Sequence, residues 1–224
     1  GALDAAVGEF AAIEKRLDCD AILVTVGRRP SSGGLGLDVP GVAVDARGFI
    51  TVDSKRRTNV PGVYAIGDVV GNPMLAHKAS NEGEVVAEVI AGHDVVFEPR
   101  GIPAVVFTDP EISAVGLSES EAKAKGLAVK VGKYPFAGLG RAMTTGETDG
   151  FVRVIIDAKT TALVGVQIVG PEASELIAEA ALALEMGAVA LDLSVTIHSH
   201  PTLAEALMEA AKAAIGQAVH QLNR

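Results

Sequence analysis

The chain has 224 residues but a single cysteine, Cys19, and no tryptophan. One thiol cannot form an intrachain disulfide or a cysteine-based metal cluster, and a lone cysteine suits a reducing compartment. Aromatic residues are 4% of the sequence, so any core must be built from aliphatic and small side chains. Basic residues do not dominate: the formal charge is −9, and Arg28-Arg29 and Lys55-Arg56-Arg57 are short and dispersed. Binding nucleic acid in general requires clustered Lys and Arg against phosphate, so that class is excluded. No apolar run reaches the ~20 residues of a membrane helix, and no signal peptide is visible. No membrane partner is expected, and a cytoplasmic location is, or the mitochondrial matrix in a eukaryote. Gly1 stands where an initiator Met would, so the chain is expected to be part of something longer.

What is present is Ala, Val and Gly, the composition of an α/β or α+β protein. Asp20 to Val26 is a continuous β-branched run stopped by Gly27, the pattern of a buried strand in a parallel sheet. Gly33-Gly34-Leu35-Gly36 lacks the third glycine of a dinucleotide fingerprint and has no helical pattern after it, so it reads as a loop. Val42 to Val44 and Phe49 to Val52 read as a hairpin across Asp45-Ala46-Arg47-Gly48. Val63 to Ile66 reads as another buried strand, ending in Gly67-Asp68. Ligands in open α/β sheets bind at the carboxyl ends of strands. Asp68 is therefore either a hydroxyl acceptor or an ordinary turn residue. A helix is expected from Met74 to Gly92, its first turn offered to an electronegative group.

The texture changes near Phe97 to Gly101, which reads as a linker into an α+β segment. Strands are expected at Val105 to Phe107, Ala114-Val115 and Val129 to Tyr134. Ser118 to Glu121 is a capping box opening a helix that Gly126 closes. Phe151 to Ile156 and Leu163 to Val169 form a hairpin pattern, and helices follow at 173–186, 188–193 and 202–215.

Two histidines stand close together in Thr196-Ile197-His198-Ser199-His200-Pro201-Thr202-Leu203-Ala204-Glu205. Imidazole exchanges protons near neutrality, and a nearby carboxylate can hold it for acid–base work. The same residues support a structural reading, because Thr202-x-x-Glu205 is also a capping box.

Several motifs agree in order with one family. They are Val24 to Pro30, Asn59 to Val69, Met74 to Ala79, Pro103 to Glu111 with Val115-Gly116, and His198 to Glu205. The chain resembles the C-terminal half of the dihydrolipoamide dehydrogenases, within the pyridine nucleotide–disulfide oxidoreductase family. The resemblance implies remnants of Rossmann-like FAD- and NAD-binding domains followed by a dimerisation domain. Residues 1–30 would end the NAD domain, 31–100 would return to the FAD domain, and 101–224 would be the interface domain. It implies that Gly27 lies against NAD, that Asp68 holds FAD, and that Met74, Leu75, Ala76 and His77 contact the flavin. His200 would be the acid–base residue, after a cis bond to Pro201, and Glu205 its orienting carboxylate. The implied partners are a second copy of the chain and the lipoyl and peripheral subunit-binding domains of the acyltransferase in 2-oxoacid dehydrogenase complexes.

The sequence departs from that family in lacking a Cys-x4-Cys redox pair and both glycine-rich fingerprints. The resemblance therefore implies a fragment inactive by itself. The competing readings are a non-catalytic dimerisation or binding module and the same half of a glutathione-reductase-like enzyme. Against the latter, Ala206 follows Glu205 where an acidic pair is usual, and His198 precedes the motif.

Overall fold

A computed structural model describes residues 18–222. The segment before Asp18, including most of the expected NAD-domain end, lies outside the described residues. The chain divides into two compact units, described here through residues 18–98 and 99–222.

The unit of residues 99–222 is an antiparallel sheet carrying helices. In chain order its elements are β1 (Ala104–Val106), β2 (Glu111–Gly116), α2 (Glu119–Ala124), β3 (Val129–Pro135), α3 (Gly140–Thr145), β4 (Phe151–Asp157), β5 (Leu163–Gly170), α4 (Ala173–Glu185), α5 (Ala190–Val195) and α6 (Glu205–Ala214). The label α1 belongs to Ala76–Ile90 in the other unit. The sheet order is β1-β2-β5-β4-β3, every pair antiparallel.

The hairpin expected at 151–169 is the centre of this sheet. Asp157 shapes its turn by accepting from the N–H groups of Lys159 (3.0 Å) and Thr160 (2.7 Å). Val152, Val154, Ile156, Val166 and Ile168 from the two strands are buried with Phe136. α4 packs on β2 and β5 through residues such as Ile177, Ala180 and Leu184, and α6 packs on β3 and β4 through Leu207, Ala210 and Ala214. Small residues let α6 lie close: a Cβ at Gly132 of β3 would meet the Ala210 carbonyl oxygen at 2.0 Å. Glycine is required there by contact, since nothing larger leaves room for the helix backbone.

Capping follows the sequence in α2, where the Ser118 Oγ accepts from the Glu121 N–H (3.2 Å) and Glu121 accepts from the Ser118 N–H (2.9 Å). Glu111, in the Pro103–Glu111 motif, accepts from the Ser174 N–H at 2.8 Å and so serves the first turn of α4. α3 was not anticipated; its Gly-Arg-Ala-Met-Thr-Thr sequence has no apolar period to announce it.

The unit of residues 18–98 has one long helix, α1, and little ladder. The expected strand at 20–26 is irregular, with Ile22, Leu23, Val24 and Val26 exposed. The expected hairpin at 42–52 is a single bridge, Val44 to Ile50, and Val63 to Ile66 reduces to the bridge of Arg57 to Tyr64. The physical reason is pairing: a buried parallel strand needs neighbours on both sides, and the described residues of this unit supply none. Val42 and Ile50 are its buried hydrophobics among the described residues, beside buried Lys78 and Glu82. No helix among the described residues is long and apolar enough to cross a membrane.

Candidate functional site

In the sheet unit, α5 ends at Val195 and α6 begins at Glu205, and the segment between them carries both histidines. Thr196, the residue after α5, donates from Oγ1 to the Asp192 carbonyl (2.7 Å). The His200–Pro201 peptide is cis. His200 Nδ1 lies 2.9 Å from Glu205 Oε1 and 3.2 Å from Oε2, and Oε2 also accepts the Thr202 N–H at 2.9 Å. Only half of the expected capping box forms, because the Thr202 hydroxyl donates to the Ser199 carbonyl (2.8 Å) instead of accepting from the helix. Glu205 is thereby shared between the helix start and the imidazole.

Burial of Glu205 works against its charged form. The Thr202 N–H, the hydrogen bond and charge of His200, and the charge of His198 outweigh it and hold the carboxyl below its usual value. An ionised carboxylate has no hydrogen to give, so Nδ1 must carry the ring proton. In the neutral ring Nε2 then carries the lone pair, on a side chain that is 75% exposed. That is the arrangement of a base whose far nitrogen is held and whose near nitrogen is open to take a proton.

His198 differs from it. Its side chain is 6% exposed, and Nε2 lies 2.9 Å from Glu179 Oε1 of α4 while Nδ1 lies 3.0 Å from the Thr196 carbonyl oxygen. The sequence offered no signal for Glu179, which is 19 residues away.

In the other unit, Val63 to Ile66 leads into a 3-10 turn over Gly67–Val70. Gly67 has φ of +79° and a Cβ there would press on Ala79 of α1, so glycine serves both the turn and the close helix. Glu82 of α1 is fully buried and accepts the Gly67 N–H at 2.6 Å. Lys78, one turn earlier, donates to the carbonyls of Gly67 (3.2 Å) and Gly71 (3.0 Å) and lies 3.3 Å from Glu82. Arg56 approaches the same carboxylate at 3.5 Å and stacks on Phe97. This charged cluster was missed, although Lys78 and Glu82 at i and i+4 were a readable sign of pairing.

Asp68 therefore sits on a fixed turn, its carboxylate half exposed and 3.7 Å from Arg28. Arg28 also donates to the Met74 carbonyl at 3.3 Å, so the residue after Gly27 joins the Asp68 and Met74 neighbourhood. α1 opens at Ala76 with no side-chain cap from Leu75, and His77 follows in its first turn. Nothing crowds Gly27, whose Cβ position has no atom within 4 Å. A carboxylate acceptor, an uncrowded glycine and a helix start without a side-chain cap suit a ligand with hydroxyl donors and an electronegative edge.

Two family profiles cover most of the chain. Pyridine nucleotide-disulphide oxidoreductase matches residues 9–83, and the dimerisation domain of the same group matches residues 102–211. The chain belongs to the pyridine nucleotide-disulphide oxidoreductase family. Its enzymes use a flavin and a nicotinamide nucleotide, and its dimerisation domain accounts for the sheet unit.

Among relatives, dihydrolipoyl dehydrogenase of Thermus scotoductus is 56% identical over 211 residues, 94% of this chain and 46% of its own length. That of Haloferax volcanii is 54% identical over 212 residues, 94% of this chain and 45% of its own length. The chain thus spans just under half the length of these relatives. Among solved structures, LpdA of Mycobacterium tuberculosis aligns with TM-score 0.78 and 33% identity over 84% of this chain and 41% of its own. The HOCl-induced flavoprotein disulfide reductase RclA of Escherichia coli aligns with TM-score 0.80 and 27% identity over 86% and 45%.

Proposed function

We propose that the chain is the C-terminal part of a dihydrolipoyl dehydrogenase, with residues 1–30 ending an NAD-binding domain, 31–100 completing an FAD-binding domain, and 101–224 forming the interface. The observation that carries this reading is the His200–Glu205 pair, with Nδ1 held and Nε2 open. Only a thiolate attacks a disulfide. His200 Nε2 receives the proton of a dihydrolipoamide thiol, and the ionised Glu205 holds Nδ1–H and balances the imidazolium that results. The redox disulfide is outside this chain, whose lone Cys19 is exposed and unpaired.

FAD, when bound, supplies the two-electron link between the dithiol and NAD. Toward it, Asp68 would supply a hydrogen-bond acceptor for a hydroxyl, while Met74, Leu75, Ala76 and His77 would offer the start of α1 to an electronegative edge. Gly27 leaves open backbone for NAD. Exposed Ile22, Leu23, Val24 and Val26 support a completing domain half that pairs with this stretch. Exposed Leu182, Met186, Leu191, Val195 and Ile197 support docking of a second copy of the interface domain. The larger partners are the lipoyl and peripheral subunit-binding domains of a 2-oxoacid dehydrogenase complex, and the setting is cytoplasmic.

The test is NAD reduction by dihydrolipoamide in the complete protein. His200→Gln is expected to lower kcat by roughly 10²–10⁴-fold, the range of a lost general base. Activity within threefold of the parent would overturn the assignment.

A further inference from the structure

The thiol chemistry above leaves His198 unused, yet its environment is the more constrained of the two histidines. Both of its ring nitrogens face oxygens: Nδ1 the Thr196 carbonyl at 3.0 Å, Nε2 the Glu179 carboxylate at 2.9 Å. A carbonyl and a carboxylate only accept, so each contact requires a hydrogen on the ring nitrogen. A ring with one hydrogen satisfies one contact and sets lone pair against lone pair at the other. A ring with two satisfies both and forms an ion pair with Glu179.

We propose that His198 is a positioning residue for His200, a double donor that clamps the segment between α5 and α6 to α4 and so fixes the direction of the base. The segment has few other holds. Thr196 bonds back to Asp192 of α5, the Thr202 hydroxyl bonds to Ser199, and His200 itself is largely exposed with Glu205 as its ring's partner. Glu179 ties the segment to a helix packed elsewhere on the sheet, since α4 rests on β2 and β5 whereas Glu205 rides on α6 over β3 and β4. Without it, the segment would lose its tie to α4 and keep its connections to α5 and α6. The cation at His198 also favours the ionised Glu205 that holds Nδ1 of His200.

The inference rests on the proton-accepting role given to His200, so its test begins without substrate. Ring-nitrogen NMR of the full 224-residue chain should show two N–H protons on His198, both slow to exchange because the ring is buried, and one on His200 at Nδ1. His198→Ala should convert His200 to a mixture of tautomers. Glu179→Gln is the milder partner: the amide can donate to Nε2, so His198 should keep a single N–H while His200 keeps its tautomer.

In the complete enzyme, His198→Ala should lower kcat on the order of tenfold to a hundredfold, as misdirected groups do, with KM within twofold. His198→Gln, which can still donate to Glu179, should recover part of that loss. A His198→Ala chain whose His200 stays in one tautomer would overturn the clamp, as would a parent His198 with a single ring N–H. Because the tautomers are read without turnover, a protein lacking dehydrogenase activity would sink the reading of His200 while the clamp is still decided.

Discussion

Replacing Glu205 with glutamine changes the charge beside His200 and hardly changes the shape. The native carboxylate accepts His200 Nδ1–H at 2.9 Å and the Thr202 N–H at 2.9 Å, one on each oxygen. A glutamine oxygen at the Oε2 position still reaches both the imidazole and the Thr202 N–H, but it carries no charge to answer an imidazolium. A hydrogen bond to a charged group contributes about 1.5–3 kcal/mol. Losing it when the imidazolium forms should slow proton transfer by roughly 10- to 150-fold, at 1.36 kcal/mol per decade. The assay is steady-state oxidation of dihydrolipoamide by the complete enzyme, with kcat and KM separated.

Stability supplies a second readout with a defined sign. The folded-state pKa of Glu205 is held below its unfolded value. Its contribution is therefore fully present above the unfolded carboxylate range and disappears as pH falls through the folded value. The stability gap between parent and Glu205→Gln in urea unfolding should thus be widest at neutral pH and narrow in acid. A kcat within twofold of the parent, or a gap that widens in acid, would refute the reasoning.

Gly132→Ala would drive a methyl group into the Ala210 carbonyl and the Ala214 N–H, and should destabilise the sheet unit by about 3 kcal/mol or more in chemical unfolding. Glu82→Gln leaves buried Lys78 and part-buried Arg56 facing a neutral group and should cost about 3–5 kcal/mol, read as an earlier urea transition. Ile197→Asp places a charge on a side chain that is 97% exposed in the single chain. If a second copy covers it, sedimentation equilibrium should show self-association weakened roughly tenfold or more.

The reading of the fold from sequence succeeded where the chain carries its own partners. The hairpin of β4 and β5 lies adjacent in sequence, and the Ser118–Glu121 box closes within four residues. It failed where pairing depends on distant segments. Asp20 to Val26 has strand composition, but composition cannot supply a neighbouring strand, and the run stays irregular. Thr202 and Glu205 have the spacing of a capping box, yet the competition of Ser199 for the hydroxyl was not visible in it.

The sequence by itself determined which side chains were available for chemistry: one thiol, a His-Ser-His-Pro turn, and a carboxylate five residues after the second histidine. It also determined the apolar strands and Ala-rich helices from which a sheet and its cover are built. The tertiary structure alone decided the use of each group. Glu205 became the partner of His200 because α6 begins there, and His198 became a buried clamp because α4 brings Glu179 to it. Lys78 and Glu82 became the supports of Gly67 because the helix folds back on the turn that begins there. A sequence specifies which groups exist, but burial and distance, which set their protonation and direction, arise only when segments far apart in the chain are packed together.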